Sequence, residues 1–165
     1  MIGSAVGGNG AGRRVTFDGT PLGKAAVAGD LGSSRYTRIA LIDLDWFKRI
    51  NDRFGHPTGD EVLRTFAITV FANIRSIDRF GRYGGEEFLL ILPETEEEAA
   101  ARTLNRLRAI VADLDWSAIS NGMSVTISAG VTKLLPDDAP DSILARADAA
   151  LGVARVVDDF GITID

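Results

Sequence analysis

The chain has 165 residues, a length typical of one domain, and 18 Lys and Arg against 23 Asp and Glu give a net charge of −5. That balance argues against a binder of nucleic acid polymers. The absence of cysteine excludes a disulfide scaffold, a Cys-ligated zinc site and a thiol nucleophile. No apolar run approaches the ~20 residues of a membrane span, and no signal-peptide pattern is present. We therefore expect a soluble cytoplasmic domain with no membrane segment.

Glycine is concentrated at the start of the chain. Nine of the 18 glycines fall within residues 1–33, and the stretch from Gly3 to Gly12 has no apolar pattern. Such composition is typical of flexible arms and linkers. We predict a flexible arm and poorly defined lead-in over residues 1–33 and one folded domain over residues 34–165.

Hydrophobic periodicity predicts alternating strands and helices from Tyr36 onward. In chain order the predicted elements are a strand over 38–45, a short helix over 46–54, a helix from Thr58 or Asp60 to about Ile77, a β-hairpin around Gly84-Gly85, a helix from Thr95, a strand over 123–131, a helix from Asp141 to about Val156, and a strand over 162–164. We assign Gly84 and Gly85 to the two central positions of a type I′ turn. The predicted fold is α/β, with a mixed central sheet of about five strands and flanking helices.

Paired acids stand out at the ends of two predicted strands. Asp43 and Asp45 are two residues apart on one strand, so their side chains point to one face, ~6.6 Å apart. Glu86 and Glu87 begin the strand after the Gly-Gly turn and can lie beside Asp43. Such carboxylates suit Mg²⁺ or Mn²⁺. The alternatives are a helix N-cap with a solvated acid, and an ordinary charged hairpin.

Cations and one histidine follow these acids. Lys48 and Arg49 can meet phosphate once a metal is present, although isolated cations are more often solvated. His56, the single histidine, lies between Gly55 and Pro57. Its near-neutral pKa permits a catalytic-base role. We favour the alternative that it packs and hydrogen-bonds within a loop.

Four stretches together are more specific than their parts. They are Asp43-Leu-Asp-Trp-Phe-Lys-Arg-Ile-Asn-Asp52, Phe54-Gly-His56, Gly59-Asp60 and Arg82-Tyr-Gly-Gly-Glu-Glu-Phe88. In combination they resemble the GGDEF family of diguanylate cyclases from about Arg38 to Val131. The family's signature occurs here in the variant with Glu in place of Asp, as Gly84-Gly-Glu-Glu-Phe88. The resemblance implies a fold similar to nucleotide cyclase and polymerase palm domains. It also implies a bacterial source, synthesis of cyclic di-GMP from two GTP with release of two pyrophosphates, and catalysis by a homodimer, while the isolated domain is mostly monomeric.

The resemblance also implies roles for individual residues. Asp43 and Glu86 would bind the metal together with the Leu44 carbonyl, and Glu87 would contact the metal or assist deprotonation of the 3′-hydroxyl, so that Glu86 and Glu87 form the catalytic pair. The remaining implied roles are guanine recognition by Asn51 and Asp60, and phosphate binding by the backbone of Trp46 and Phe47 and by the side chains of Lys48 and Arg155. An amide and a carboxylate suit the hydrogen-bonding edge of guanine.

A second implied site is inhibitory. Arg75-Ser-Ile-Asp78 matches the family's RxxD site for bound product, and Arg106 aligns with a helper arginine. The resemblance implies that the arginine grips the guanine and phosphate of cyclic di-GMP and that the aspartate binds its guanine. The alternative is a simple Arg–Asp pair at a helix end.

The chain departs from the family's pattern at both ends. The usual D-x-L-T-G-L-x-N-R-R stretch is not found. In the closing motif Gly152 replaces a tyrosine, Arg155 a lysine, Asp158 a glycine and Asp159 an arginine. An inward Asp159 would repel triphosphate, by ~4 kcal/mol at ~4 Å before screening. The alternative function is therefore a weak or inactive domain that serves as a receptor for cyclic di-GMP or GTP, and a third is a structural dimerisation module.

Overall fold

The computed structural model describes residues 36–156 and 161–164. The predicted arm over residues 1–33 lies outside the described residues, as do Asp158 and Asp159. Arg155 belongs to the last helix, but its side chain is also outside the described part.

The described elements alternate in the predicted order. They are β1 (Arg38–Leu44), α1 (Phe47–Phe54), α2 (His56–Ala72), β2 (Arg79–Gly84), β3 (Glu87–Leu92), α3 (Glu97–Asp113), a 3-10 turn (Trp116–Ala118), β4 (Ile127–Lys133), α4 (Pro140–Val156) and β5 (Ile162–Ile164). The strands form one sheet in the order β2-β3-β1-β4-β5. All pairs are antiparallel except β4 with β5. The predicted mixed five-stranded sheet is confirmed.

Strand β1 is the centre of the fold, and all seven of its residues are buried. Because strand side chains alternate between faces, Ala40 and Ile42 pack with α2 and α3, whereas Ile39 and Leu41 pack with α4. A continuous apolar strand covered on both faces is expected in such a three-layer arrangement. Gly130 permits β4 to approach α4 closely, because a Cβ there would lie 2.2 Å from the backbone nitrogen of Leu151.

Several predicted element boundaries differ from the observed ones. Helix α2 begins at His56, which is exposed at the first helical position rather than packed in a loop, and Pro57 suits this first turn. It ends at Ala72 instead of Ile77, because the chain then turns through the hydrogen-bonded segment from Arg75 to Asp78. Strand β4 begins at Ile127 instead of Met123, because β1 ends at Leu44 and offers the earlier residues no partner strand.

The predicted hairpin is confirmed, but its type I′ turn is wrong. Gly84 pairs with Glu87, so the two turn residues are Gly85 and Glu86. Only Gly85 has a positive φ, of 46°, whereas type I′ needs positive φ at both positions. A register shift between Arg82 and Gly84 places Gly84 in the strand. No helix among residues 36–156 and 161–164 combines the length and apolar character needed to cross a membrane.

Candidate active site

The acids predicted to meet do lie together at one edge of the sheet. Asp43 is 5% exposed and stands opposite Glu87 of β3 and Ser128 of β4. Directly opposed residues share a face of the sheet. The backbone N–H of Leu44 donates to the carbonyl of Glu86 at 3.4 Å, so the end of β1 is joined to the hairpin turn. The fold thus brings Asp43 beside the Glu86-Glu87 pair.

This edge has a strongly acidic electrostatic environment. Burial, followed by the charges of Asp148 and Glu86, raises the pKa of Glu87. Sequence reasoning missed Asp148, which comes from α4 and is far away in the chain. A concentration of carboxylates at a half-buried edge favours a cation.

The donors available for that cation are few. Among the described residues no group of three or more His, Cys, Asp or Glu side chains could hold a metal ion. The candidates are two carboxylates, Asp43 and Glu86, and the carbonyl of Leu44. This all-oxygen set fits Mg²⁺ or Mn²⁺, since Mg²⁺ commonly binds one or two carboxylates and completes its shell with water and substrate phosphate.

Asp45 has a different environment from Asp43. Its carboxylate is placed neither as a metal ligand nor as a solvated acid. The Thr126 and Ser128 hydroxyls each donate to its carboxylate at 2.7 Å, and its own N–H donates to the Thr126 carbonyl at 2.9 Å. Burial raises the pKa of Asp45, while these hydroxyls and the charge of Arg108 act in the opposite direction. Asp45 is 7% exposed and ties the end of β1 to β4.

The N-terminus of α1 follows these acids directly. Trp46 precedes the helix in a left-handed conformation with φ 56° and ψ 26°. Its carbonyl accepts from the N–H groups of Arg49 and Ile50, at 2.8 and 3.2 Å. The N–H groups of the preceding residues, Phe47 and Lys48, belong to the first turn, which lacks partners within its own helix. With Lys48 exposed beside them, the predicted phosphate-binding segment is a helix N-terminus of the kind that binds anions.

The predicted guanine-binding residues meet where α1 and α2 touch. A Cβ on Gly59 would lie 1.9 Å from Oδ1 of Asn51 and 3.2 Å from Cζ of Phe47. Glycine is therefore required for Asn51 to rest against the first turns of α2. Asp60 is the next residue and is exposed. Sequence reasoning treated Gly59 only as part of a motif, and the structure identifies it as the contact point.

The residues of the predicted inhibitory site surround the turn after α2. Asp78, 1% exposed, accepts from the Arg75 backbone N–H at 2.7 Å and from its Nε and Nη2 at 3.1 and 2.7 Å. Nη2 of Arg75 also donates to the Pro93 carbonyl and to Thr95 Oγ1. Arg106 donates to the Asn73 carbonyl at 2.9 Å. This cluster lies at the opposite end of the β2–β3 hairpin from Glu86, about 20 Å away for six-residue strands.

The sequence profile described as "Diguanylate cyclase, GGDEF domain" matches residues 26–156. Among curated proteins, the response regulator PleD of Caulobacter vibrioides is 42% identical over 136 residues, which are 80% of this chain and 29% of that protein. Diguanylate cyclase DgcP of Pseudomonas aeruginosa is 42% identical over 117 residues, 71% of this chain and 17% of that protein. The chain spans less than a third of the length of these relatives.

Solved structures give the same result. The GGDEF domain of DgcB from Caulobacter crescentus, in complex with c-di-GMP, superposes with a TM-score of 0.76 at 30% identity, covering 86% of this chain and 84% of that one. The active GGEEF domain of a diguanylate cyclase from Vibrio cholerae gives 0.75 at 33% identity, with 85% and 89% covered. The expected similarity to palm domains is thereby confirmed, and the chain belongs to the GGDEF diguanylate cyclase family.

Proposed function

We propose that this domain condenses two GTP molecules into cyclic di-GMP and two pyrophosphates in the bacterial cytoplasm, with Mg²⁺ or Mn²⁺, as a homodimer that its product inhibits. The observation that carries the proposal is the position of Asp43, opposite Glu87 and next to the N-terminus of α1. This one edge offers carboxylates for a cation and backbone N–H groups for phosphate, and the side-chain amide of Asn51 is close by for guanine. DgcB and the Vibrio cholerae enzyme support it as relatives of the same fold.

Asp43, Glu86 and the Leu44 carbonyl would hold the metal. When bound, such an ion neutralises charge on the phosphates and lowers the pKa of the attacking hydroxyl. The protein's own share is to orient the nucleotide. The N–H groups at the start of α1, with Lys48, bind the phosphates, while Asn51 and Asp60 bind guanine through its polar edge.

Each step of the condensation forms one ester bond and releases one pyrophosphate. The 3′-hydroxyl oxygen of one GTP attacks the α-phosphorus of the other, and the bond to the leaving pyrophosphate breaks. The hydroxyl proton passes to a carboxylate, for which Glu87 is the candidate. One domain binds one GTP, so two domains must face each other, and their alignment supplies proximity. A monomer is expected to bind GTP without turnover.

Product inhibition would use the cluster at the other end of the hairpin. To bind the guanine and phosphate of cyclic di-GMP, Arg75 must exchange bonds that it now makes to Asp78, Pro93 and Thr95. Its side chain is 48% exposed, so it is accessible for this exchange, whereas Asp78 is buried. Arg106 lies on the neighbouring helix and adds a second cation.

The test is product formation by an enforced dimer. The chain is fused to a dimeric coiled coil, incubated with GTP and Mg²⁺, and assayed by chromatography beside a Glu87→Ala control. We expect cyclic di-GMP and pyrophosphate in a ratio of one to two from the wild-type sequence. Failure to exceed the control would refute the enzymatic function.

The second candidate is a non-catalytic receptor for cyclic di-GMP or GTP. It is favoured by the ordered cluster of Arg75, Asp78 and Arg106 together with the sequence departure at Asp159. Titration calorimetry distinguishes the two candidates. Binding of cyclic di-GMP that is lost in Arg75→Ala, with no turnover in the enforced dimer, would support the receptor.

A further inference from the structure

A cavity of about 220 Å³ lies between α1 and residues 122–126. Its walls include Trp46, which precedes α1, and Arg49, Arg53 and Phe54 of α1, with Met123 and Thr126 opposite. The sequence analysis considered Arg49 for phosphate binding, but the proposed function uses the side chain of neither Arg49 nor Arg53. The volume is smaller than that of typical drug-sized sites, so the cavity suits a small molecule.

The cavity is on the far side of α1 from the proposed guanine site. Phe47 and Asn51 are four residues apart and face Gly59 of α2. Arg49 and Arg53 have the same spacing but are offset by two residues, which is a rotation of about 200° around a helix. A molecule in this cavity therefore occupies a different space from a base held by Asn51 and Asp60.

Two guanidinium groups dominate the charge of the cavity. Arg49 lies over the Trp46 ring at 4.0 Å and Arg53 over the Phe54 ring at 4.9 Å. Among the described residues neither guanidinium has a hydrogen-bond or ion-pair partner. Like charges four residues apart on a helix repel each other, and an anion between them removes that repulsion.

Among the described residues, the acid in the wall, Asp45, makes no ion pair with Arg49 or Arg53. Its two oxygens accept from Thr126 and Ser128, and it is 7% exposed. The loop opposite approaches Arg53 closely, because a Cβ on Gly122 would lie 3.8 Å from Nη2 of Arg53, in van der Waals contact. The cavity thus combines two guanidinium groups with two aromatic rings.

We propose that this cavity binds a small aromatic phosphate. Guanidinium groups bind phosphate through paired charge-assisted hydrogen bonds, and a ligand ring can stack on Trp46 or Phe54. Trp46 is also the residue that sets the direction of α1 in its left-handed conformation. A ligand held against it would contact the same segment whose backbone forms the proposed phosphate site on the other side.

Phenyl phosphate is the probe for this site, and tryptophan fluorescence is the readout. Trp46 is 53% exposed, whereas Trp116 is 2% exposed and donates to the Val111 carbonyl, so a change in emission reports on Trp46. At constant ionic strength we expect saturable binding that weakens at least tenfold in the Arg49→Gln/Arg53→Gln double variant. The matched control is Arg102→Gln on the exposed surface of α3, which is expected to bind like the wild type.

Two measurements show whether the probe binds in the cavity or at the N-terminus of α1. They are the effect of each variant on the affinity and the NMR shifts of the backbone amides. We expect NMR shifts at the amides of Met123 and Ser124, and little effect of Lys48→Gln on the affinity. Binding that survives the double arginine variant but is lost in Lys48→Gln would overturn the proposal, as would a failure to saturate. Thermal unfolding of each variant checks that the fold is intact. The result is independent of turnover, so it does not depend on the cyclase proposal.

Discussion

Gly59→Ala separates the proposed guanine recognition from the stability of the fold. The new Cβ would lie 1.9 Å from Oδ1 and 3.0 Å from Cγ of Asn51, distances that van der Waals repulsion forbids. The Asn51 side chain must rotate away and give up its bonds to guanine. Two hydrogen bonds at ~0.5–1.5 kcal/mol each amount to ~1–3 kcal/mol, or roughly 5- to 150-fold in the Kd for GTP.

Stability is expected to change little in the same variant. Alanine is favoured over glycine inside a helix by ~1 kcal/mol, which offsets part of the strain against Asn51 and Phe47. Gly152→Ala in α4 is the matched control, because its Cβ would meet nothing within 4 Å. It receives the same helix-propensity gain without the steric contact, and it is expected to leave GTP binding unchanged.

Calorimetric titration with GTP, together with thermal unfolding, tests this reasoning. If Gly59→Ala acts through Asn51, then adding Asn51→Ala to it should weaken binding no further. Equal GTP affinity in Gly59→Ala and Gly152→Ala would refute the reasoning. So would fully additive losses in the double variant, because they would show that Gly59 and Asn51 act independently.

Two further predictions concern charge pairs away from the nucleotide. Two short hydrogen bonds from Arg146, each 2.6 Å, lower the pKa of Asp138 to about 2, so the stabilisation is full above pH ~4 and is lost as the pH falls towards 2. Asp138→Asn should therefore lower the free energy of unfolding by ~1–2 kcal/mol at pH 7 and by little near pH 2. Denaturant titrations measure this difference. An equal loss at the two pH values would contradict the ion pair. Arg75→Ala should weaken cyclic di-GMP binding at least tenfold by calorimetry and also destabilise the chain, because Asp78 is left buried without its cation; unchanged affinity would remove Arg75 from the inhibitory site.

Most of the fold could be predicted because apolar residues repeat with the period of each element. The same signal misleads at boundaries. Ile74 is buried after α2 has ended, and Met123 and Val125 alternate towards the core without belonging to a strand. Burial continues the apolar pattern beyond the hydrogen-bonded element, so periodicity alone cannot place its end.

The candidate site could be predicted only where its residues are close in sequence or carry a known motif. The bond between Asp45 and Ser128 joins residues 83 positions apart, and the effect of Asp148 on Glu87 depends on how α4 packs. The left-handed conformation of Trp46 is a tertiary feature that no residue preference announces. These contacts come from the packing of distant segments.

The most direct test of the account is how the rate of cyclic di-GMP synthesis depends on protein concentration. Each domain is proposed to hold one GTP, so the isolated chain should react only when two copies meet. With saturating GTP and Mg²⁺, we predict that activity per molecule rises in proportion to protein concentration while the chain is mostly monomeric, and reaches the constant value of the enforced dimer. Activity per molecule that stays constant over a hundredfold dilution of the monomer, or no product from either form, would contradict the account.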